Sequence, residues 1–207
     1  STAASCAIIR VHYSTFDGCA LAYESYHYWK NWESYLEFND ERGLAKFIDT
    51  GAMIYQTELN NQLKTILKRA QELNIPYEIW DPKKIQDKLP IVNTHKFSPV
   101  RLPNDKNFGL QSTEHINGAV FFPTAGYIND PQLSTHNLQR ASENKGGTFL
   151  FNKTVSLINQ ENGKVSGVTL SDGTSLKSRV VINVAGPHSM KINQMAGIEN
   201  KIKTRAL

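Results

Sequence analysis

The first ten residues of the chain, STAASCAIIR, combine small side chains with hydroxyl groups, a thiol and one arginine. Small side chains let a ligand approach the backbone closely, and the hydroxyls of serine and threonine can donate hydrogen bonds to phosphate oxygens. The apolar pair Ile8 and Ile9 then indicates a short strand or turn. From the residues alone we therefore expect a loop that runs into a short strand or turn.

Near the end of the chain, an apolar segment is followed by a glycine. Residues 180–184 are almost entirely apolar, which is typical of a strand covered on both faces, as in a parallel sheet. Ala185, Gly186 and Pro187 follow, and this order favours a turn into a helix that extends to about residue 196. We expect a buried strand, a glycine turn and a helix.

The sequence lacks the common metal and redox motifs. No two of the six histidines have the HExxH spacing, so we predict no metal site. The two cysteines, Cys6 and Cys19, form no CxxC pair and are too few for a disulfide framework. We therefore expect a reducing compartment and a cytoplasmic protein. Cys19 should be a small buried residue near the start of a helix.

The composition is that of an ordinary globular chain with a real core. Of its 207 residues, 40% are hydrophobic and 20% are charged, which suits one domain or one and a half. A net charge of +4 without a basic motif predicts no nucleic-acid binding. No apolar run approaches the roughly 18 residues that cross a bilayer, so we predict no membrane span.

Apolar periodicity and turn residues outline the first two thirds of the chain. Helices are predicted over 19–35, 57–73 and 131–144, and strands over 47–55, 77–80 and 119–122. Asp17, Asp81-Pro82 and Pro131 are expected to begin helices. In the last helix the inward residues should be Leu133, Asn137, Leu138 and Ala141. We expect 47–55, bent at Gly51, to share a sheet with 119–122.

The last third of the chain changes to short strands. These are predicted over 148–151, 155–158, 164–170 and 175–176. Asn162-Gly163 and Asp172-Gly173 separate them and are strong hairpin-turn dipeptides. A three-strand meander should therefore precede the buried strand at 180–184.

Five short segments occur in an order and spacing that resemble one protein family. They are STAASCAIIR at 1–10, LAYES at 21–25 with Trp29, DTGAMIY at 49–55, FPTAGYI at 122–128 with Pro131, and NVAGPHS at 183–189. Together they resemble the FAD-dependent oxidoreductases related to D-amino-acid oxidase, sarcosine oxidase and dimethylglycine dehydrogenase, over nearly the whole chain. The sequence Ile8-Ile9-Arg10, followed by Tyr13, is more similar to the sarcosine oxidase branch than to the glycerol-phosphate branch.

The resemblance implies an α+β or α/β fold in two parts. Residues 1–10 and 147–207 would belong to an FAD-binding domain with the meander and a buried parallel strand, and 11–146 would form a substrate-binding domain with a mixed sheet. Family members open with a GxGxxG unit that binds the pyrophosphate, and this sequence contains none. The resemblance therefore leads us to expect an internal fragment whose partners include the remaining segments of a longer protein.

The resemblance also implies which residues contact ligands. The expected FAD contacts are Ser1, Thr2, Ser5, Cys6, Ala7, Val155, Ala185 and Gly186. Val155 matches a position where a backbone group meets adenine, and a flavin ring near Gly186 would leave no room for a Cβ. Arg10 matches an arginine that holds the substrate carboxylate through a bidentate pair, and Tyr13 would line the same pocket.

The implied reaction is hydride transfer to FAD from the carbon beside the nitrogen of a secondary or tertiary amino acid, such as sarcosine, dimethylglycine or proline. Ala7 stands where that branch often has a second arginine, and His12 and His188 receive no catalytic role. Either oxygen or an electron-transfer partner would reoxidise the flavin. The alternatives are a flavoenzyme similar to glycerol-3-phosphate dehydrogenase and, because GxGxxG is missing, a non-catalytic binding or assembly module.

Overall fold

A computed structural model describes residues 5–58, 60, 62–97 and 99–198. The chain divides into two compact units, Ser1–Gly147 and Thr148–Leu207. None of the helices in the described ranges has both the length and the apolar character that a membrane span requires. The assignment of 1–10 and 147–207 to one FAD-binding domain stays a prediction.

The described part of the first unit contains two small antiparallel sheets. Its strands are β1 (Ile8–Ile9), β2 (Phe47–Ile48), β3 (Ala52–Tyr55), β4 (Glu78–Trp80), β5 (Ala119–Phe122) and β6 (Gly126–Ile128). In one sheet β6 lies between β1 and β2, and in the other β5 lies between β3 and β4. Because β5 and β6 are consecutive in the chain, one short stretch supplies the central strand of both sheets.

In the residues that the structure describes, five α-helices accompany these sheets. They are α1 (Phe16–Lys30), α2 (Trp32–Leu36), α3 (Leu63–Glu72), α4 (Pro82–Lys88) and α5 (Pro131–Asn144). The last two begin in the same way, since Asp81 and Asp130 each accept a hydrogen bond from a backbone N–H in the first turn, and proline occupies the first helical position. These two helix starts agree with the sequence prediction.

The largest hydrophobic core described in the first unit joins the segment after β1 to α1, α3 and β5. Val11 and Phe122 are fully buried in it, and Cys19 is 1% exposed. Cys19 thus occupies the buried position near a helix start that was expected. Since Val11 follows Arg10 directly, the core fixes the backbone of the segment on which the substrate-binding prediction depends.

The second unit is a three-strand meander followed by a short helical segment. Its strands are β7 (Val155–Glu161), β8 (Lys164–Leu170) and β9 (Ser175–Lys177), paired antiparallel in that order. Asn162 and Gly163 both have positive φ, as their tight hairpin turn requires. A 3₁₀ turn (Gly186–His188) leads into α6 (Ser189–Met195).

Three expectations about strands were wrong. The predicted strand 47–55 is divided between two sheets, because Gly51 has a φ of +71° and turns the chain between β2 and β3. Residues 148–151 form no strand, and residues 180–184 form none either; Val180, Ile182 and Val184 are 69%, 77% and 86% exposed. A strand needs a hydrogen-bonded neighbour, and the described residues provide none for 180–184.

The expected sheet types and some helix details also need correction. Every strand pair in the described ranges is antiparallel, so neither the mixed sheet nor the buried parallel strand is present there. The predicted helix 19–35 is two helices, and its N-cap is Thr15 rather than Asp17. The predicted helix 57–73 begins only at Leu63. Leu138, expected inward, is 44% exposed.

Candidate functional site

Arg10 lies directly after β1, with its side chain exposed. Its guanidinium carbon is 4.7 Å from the centre of the Tyr13 ring, a cation–π arrangement that orients the charge. The ion pairs formed by arginines in the described residues involve Arg69, Arg101 and Arg140, and Arg10 has no carboxylate partner among them. The guanidinium is therefore available to bind a carboxylate from outside the described chain.

His12 lies between these two residues and was not assigned a role from the sequence. Its ring stacks on Phe122, with centroids 5.0 Å apart, and its Nδ1 is buried without a hydrogen-bond partner in the described residues. Burial, and secondarily the positive charge of Arg10, lowers the pKa of His12 to about 4. The imidazole is therefore neutral at neutral pH. A histidine between an arginine and a tyrosine was the only sequence signal for it.

The stability of the protein should depend on pH through His12. Its folded pKa lies below its unfolded value of 6.5, so stability is full above that value and decreases as the pH falls toward about 4. Replacing His12 with Phe should reduce the loss of unfolding free energy between pH 7 and pH 4 by about 2 kcal/mol, allowing for partial exposure. Urea unfolding of both proteins at several pH values measures this. If the free energies of unfolding of wild type and His12→Phe decrease in parallel as the pH falls, the prediction is wrong.

Three of the predicted FAD contacts in the first unit belong to the described residues, whereas Ser1 and Thr2 lie outside them. Ser5 and Cys6 are exposed, and Ala7 has a φ of +54°, in the left-handed region that a residue with a Cβ rarely adopts. The Ala7 N–H donates to Ser5 Oγ at 3.0 Å, and its carbonyl accepts from the Ile128 N–H at 3.0 Å. These bonds hold a strained backbone turn, a feature common at ligand sites.

The other predicted FAD contacts lie in the second unit. Val155 begins β7, an edge strand of the meander, whose outer edge pairs with no other strand in the described residues. Ala185 and Gly186 are exposed. Gly186 has a φ of +55°, and a Cβ there would meet no described atom within 4 Å. The described residues leave space for a planar ring beside this exposed turn, and its contact with the flavin stays a prediction.

A separate polar cluster joins the loop after α2 to α5. The ligand atoms of Asp40, Glu41 and His136 lie within 4.8 Å of one another, a spacing that a metal ion also allows. However, Asp40 already accepts hydrogen bonds from Arg42 N–H, Asn137 Nδ2 and His136 Nδ1. Burial favours a higher pKa for Asp40, but these bonds lower it to about 2. We therefore assign this cluster a structural role.

Comparison with known proteins agrees with the resemblance. The family model described as DAO, FAD dependent oxidoreductase, matches residues 1–206. The chain has no match among the curated proteins.

Several solved structures share the fold. L-proline dehydrogenase from P. horikoshii is 20% identical, with a TM-score of 0.71 over 94% of this chain and 45% of that one. Glycine oxidase from Bacillus cereus ATCC 14579 is 19% identical, with a TM-score of 0.63 over 93% of this chain and 47% of that one. L-amino acid deaminase from Proteus vulgaris is 15% identical, with a TM-score of 0.66 over 96% of this chain and 41% of that one. The chain thus spans less than half the length of each.

Proposed function

Because the chain belongs to the family of FAD-dependent oxidoreductases, we propose that it is part of a flavoenzyme that oxidises the C–N bond of a secondary or tertiary amino acid. The observation that carries the proposal is the exposed guanidinium of Arg10, which stacks on Tyr13 and has no acidic partner in the described residues. An amino-acid substrate brings the missing carboxylate. The structures of similar fold include a proline dehydrogenase and a glycine oxidase, which supports an amino-acid substrate.

The residues of this chain act by binding and orientation. Arg10 donates two parallel hydrogen bonds to the substrate carboxylate. The Tyr13 ring stacks on the guanidinium and orients it. Because His12 stays neutral, Arg10 carries the positive charge of this segment. A neutral imidazole also does not repel the amine of the substrate. When bound, FAD supplies the chemistry that accepts a hydride from the carbon beside the nitrogen.

The same proposal assigns the FAD contacts. The strained turn at Ser5, Cys6 and Ala7 approaches the cofactor with its backbone, and the open turn at Ala185 and Gly186 borders the flavin ring. The outer edge of β7 at Val155 meets the adenine. We assign the remaining contacts, the pyrophosphate site above all, to segments of the longer protein. The two free cysteines support a reducing, cytoplasmic location.

Reduction of the flavin in the whole protein tests this function. The purified protein should be yellow, and without oxygen its absorbance should bleach on addition of sarcosine, dimethylglycine or proline but not of glycerol 3-phosphate. Admitting air then distinguishes the electron acceptors, since rapid return of the colour indicates oxygen and a persistently bleached flavin indicates a partner. Bleaching by glycerol 3-phosphate alone would support the glycerol-3-phosphate dehydrogenase-like alternative. A colourless protein that releases no flavin on denaturation would support a non-catalytic module.

A further inference from the structure

The thiol of Cys19 contacts both backbone polar groups of one residue in the substrate-binding segment. The Tyr13 N–H donates to Cys19 Sγ at 3.1 Å, and the Cys19 S–H donates to the Tyr13 carbonyl oxygen at 2.9 Å. Cys19 is 1% exposed, so its thiol is shielded from water. We call this pair of hydrogen bonds the Cys19 clasp.

The clasp closes the turn that connects the segment after β1 to α1. Ser14, Thr15 and Phe16 in this turn are exposed. Cys19 itself is fixed, because it lies in the first turn of α1 and its N–H donates to the Thr15 carbonyl at 3.1 Å. The clasp therefore restrains the backbone of Tyr13, because it joins this residue to the helix and the core.

The position of Tyr13 in turn sets the position of Arg10. The Tyr13 ring lies 4.7 Å from the guanidinium carbon of Arg10 and supports it by a cation–π contact. Arg10 has an exposed side chain with many rotamers, and ordering it costs conformational entropy. A fixed tyrosine ring reduces that cost before the substrate arrives.

We infer that Cys19 is a positioning residue for the substrate carboxylate, acting through Tyr13 on the guanidinium of Arg10. The inference rests on the proposed function, since it assumes that Arg10 binds a carboxylate. A thiol is suited to this place because it accepts and donates a hydrogen bond while remaining compatible with an apolar core.

The test uses the whole flavoprotein with Cys19→Ala and Cys19→Ser. Serine keeps one donor and one acceptor, whereas alanine removes both. Ser25→Ala is the matched control, because Ser25 Oγ donates to the Leu21 carbonyl on an exposed turn of the same helix. The readouts are KM and kcat for the amino-acid substrate, and the affinity for acetate, an unreactive carboxylate, followed by the flavin absorbance.

We expect Cys19→Ala to raise KM and weaken acetate binding by up to about tenfold, the effect of one to two net hydrogen bonds, with kcat within about twofold of the wild type. Cys19→Ser should restore most of the affinity, and Ser25→Ala should leave it unchanged. Equal acetate affinity in wild type and Cys19→Ala, or a loss confined to kcat, would overturn the inference while leaving the proposed function intact. A wild-type protein that neither turns over nor binds acetate would overturn both.

A second measurement covers variants that fail to fold. Cys19→Val fills the same space without hydrogen bonding and replaces the alanine variant if that one is unstable. In the wild type, the S–H stretching band of Cys19, identified by its loss in a Cys19 variant or by its protection from deuterium exchange, should lie at the lower frequency of a hydrogen-bonded thiol. A band at the frequency of a free thiol would show that no clasp forms and would overturn the inference.

Discussion

Replacing Arg10 with lysine in the whole flavoenzyme is expected to raise KM for the amino-acid substrate about 50-fold, with kcat nearly unchanged. Lysine keeps the positive charge but cannot offer a carboxylate two parallel N–H donors. It also loses the planar group that lies 4.7 Å from the Tyr13 ring centre. Steady-state kinetics of the two enzymes with the same substrate measure the effect.

Two controls separate carboxylate recognition from a general loss of charge or stability. Arg101→Lys changes an arginine that pairs with Asp105 at 3.9 Å and should leave KM unaltered. The methyl ester of the same amino acid lacks the carboxylate, so wild type and Arg10→Lys should handle it with similar KM values. A 50-fold difference that persists with the ester would contradict the assigned role of Arg10.

The largest expected effect on stability belongs to Asn137→Ala, which should lower the free energy of unfolding by about 3 kcal/mol or more. The Asn137 side chain is fully buried. Its Oδ1 accepts from Ala45 N–H and Trp32 Nε1, and its Nδ2 donates to Asp40 Oδ2 and the Gly43 carbonyl. Alanine leaves these buried groups without their partner. Urea denaturation measures the loss through the shift in the midpoint, provided that the two proteins have equal m-values.

Gln132→Ala provides the comparison on the same helix. Gln132 is exposed at the start of α5, and alanine is a good helix former, so the free energy of unfolding should change by less than about 0.5 kcal/mol. A similar small change for Asn137→Ala would mean that the polar cluster contributes little to holding the loop after α2 against α5.

The sequence predicted best those elements whose signals are local. Asp81-Pro82 and Asp130-Pro131 contain both the cap and the fixed φ of a helix start, and each helix begins there. Asn162-Gly163 likewise contains the positive φ values of its hairpin turn, so the meander strands lie where the sequence placed them. In these places the neighbouring residues alone determine the backbone.

Elements that depend on distant partners were predicted poorly. Residues 180–184 have the composition of a buried strand, but composition does not supply the neighbouring strand that such a segment requires. Gly51 was recognised as a bend, yet nothing near it in sequence indicates that β2 and β3 join different sheets. The number and direction of paired strands are properties of the whole chain.

The residues of the candidate site could be predicted mainly from the family resemblance. Arg10 and Tyr13 came from a match to known proteins, and their spacing of three residues alone does not indicate a stacked pair. The stacking of His12 on Phe122 depends on a strand more than a hundred residues away, and the hydrogen bonds between Cys19 and Tyr13 depend on the turn that precedes α1. The sequence analysis named both His12 and Cys19, but these contacts were found only in the structure.

The central positions of β5 and β6 also determine when the first unit can fold. During synthesis the four outer strands of both sheets emerge first, and each lacks a hydrogen-bonding neighbour until residues 119–128 follow. Such late, long-range pairing is slow and leaves strand edges open to other chains. A ribosome-bound chain ending before residue 119 should therefore be sensitive to protease, and one extended past α5 should be protected. Arg10 would acquire its fixed backbone only at that late stage, because β1 pairs with β6.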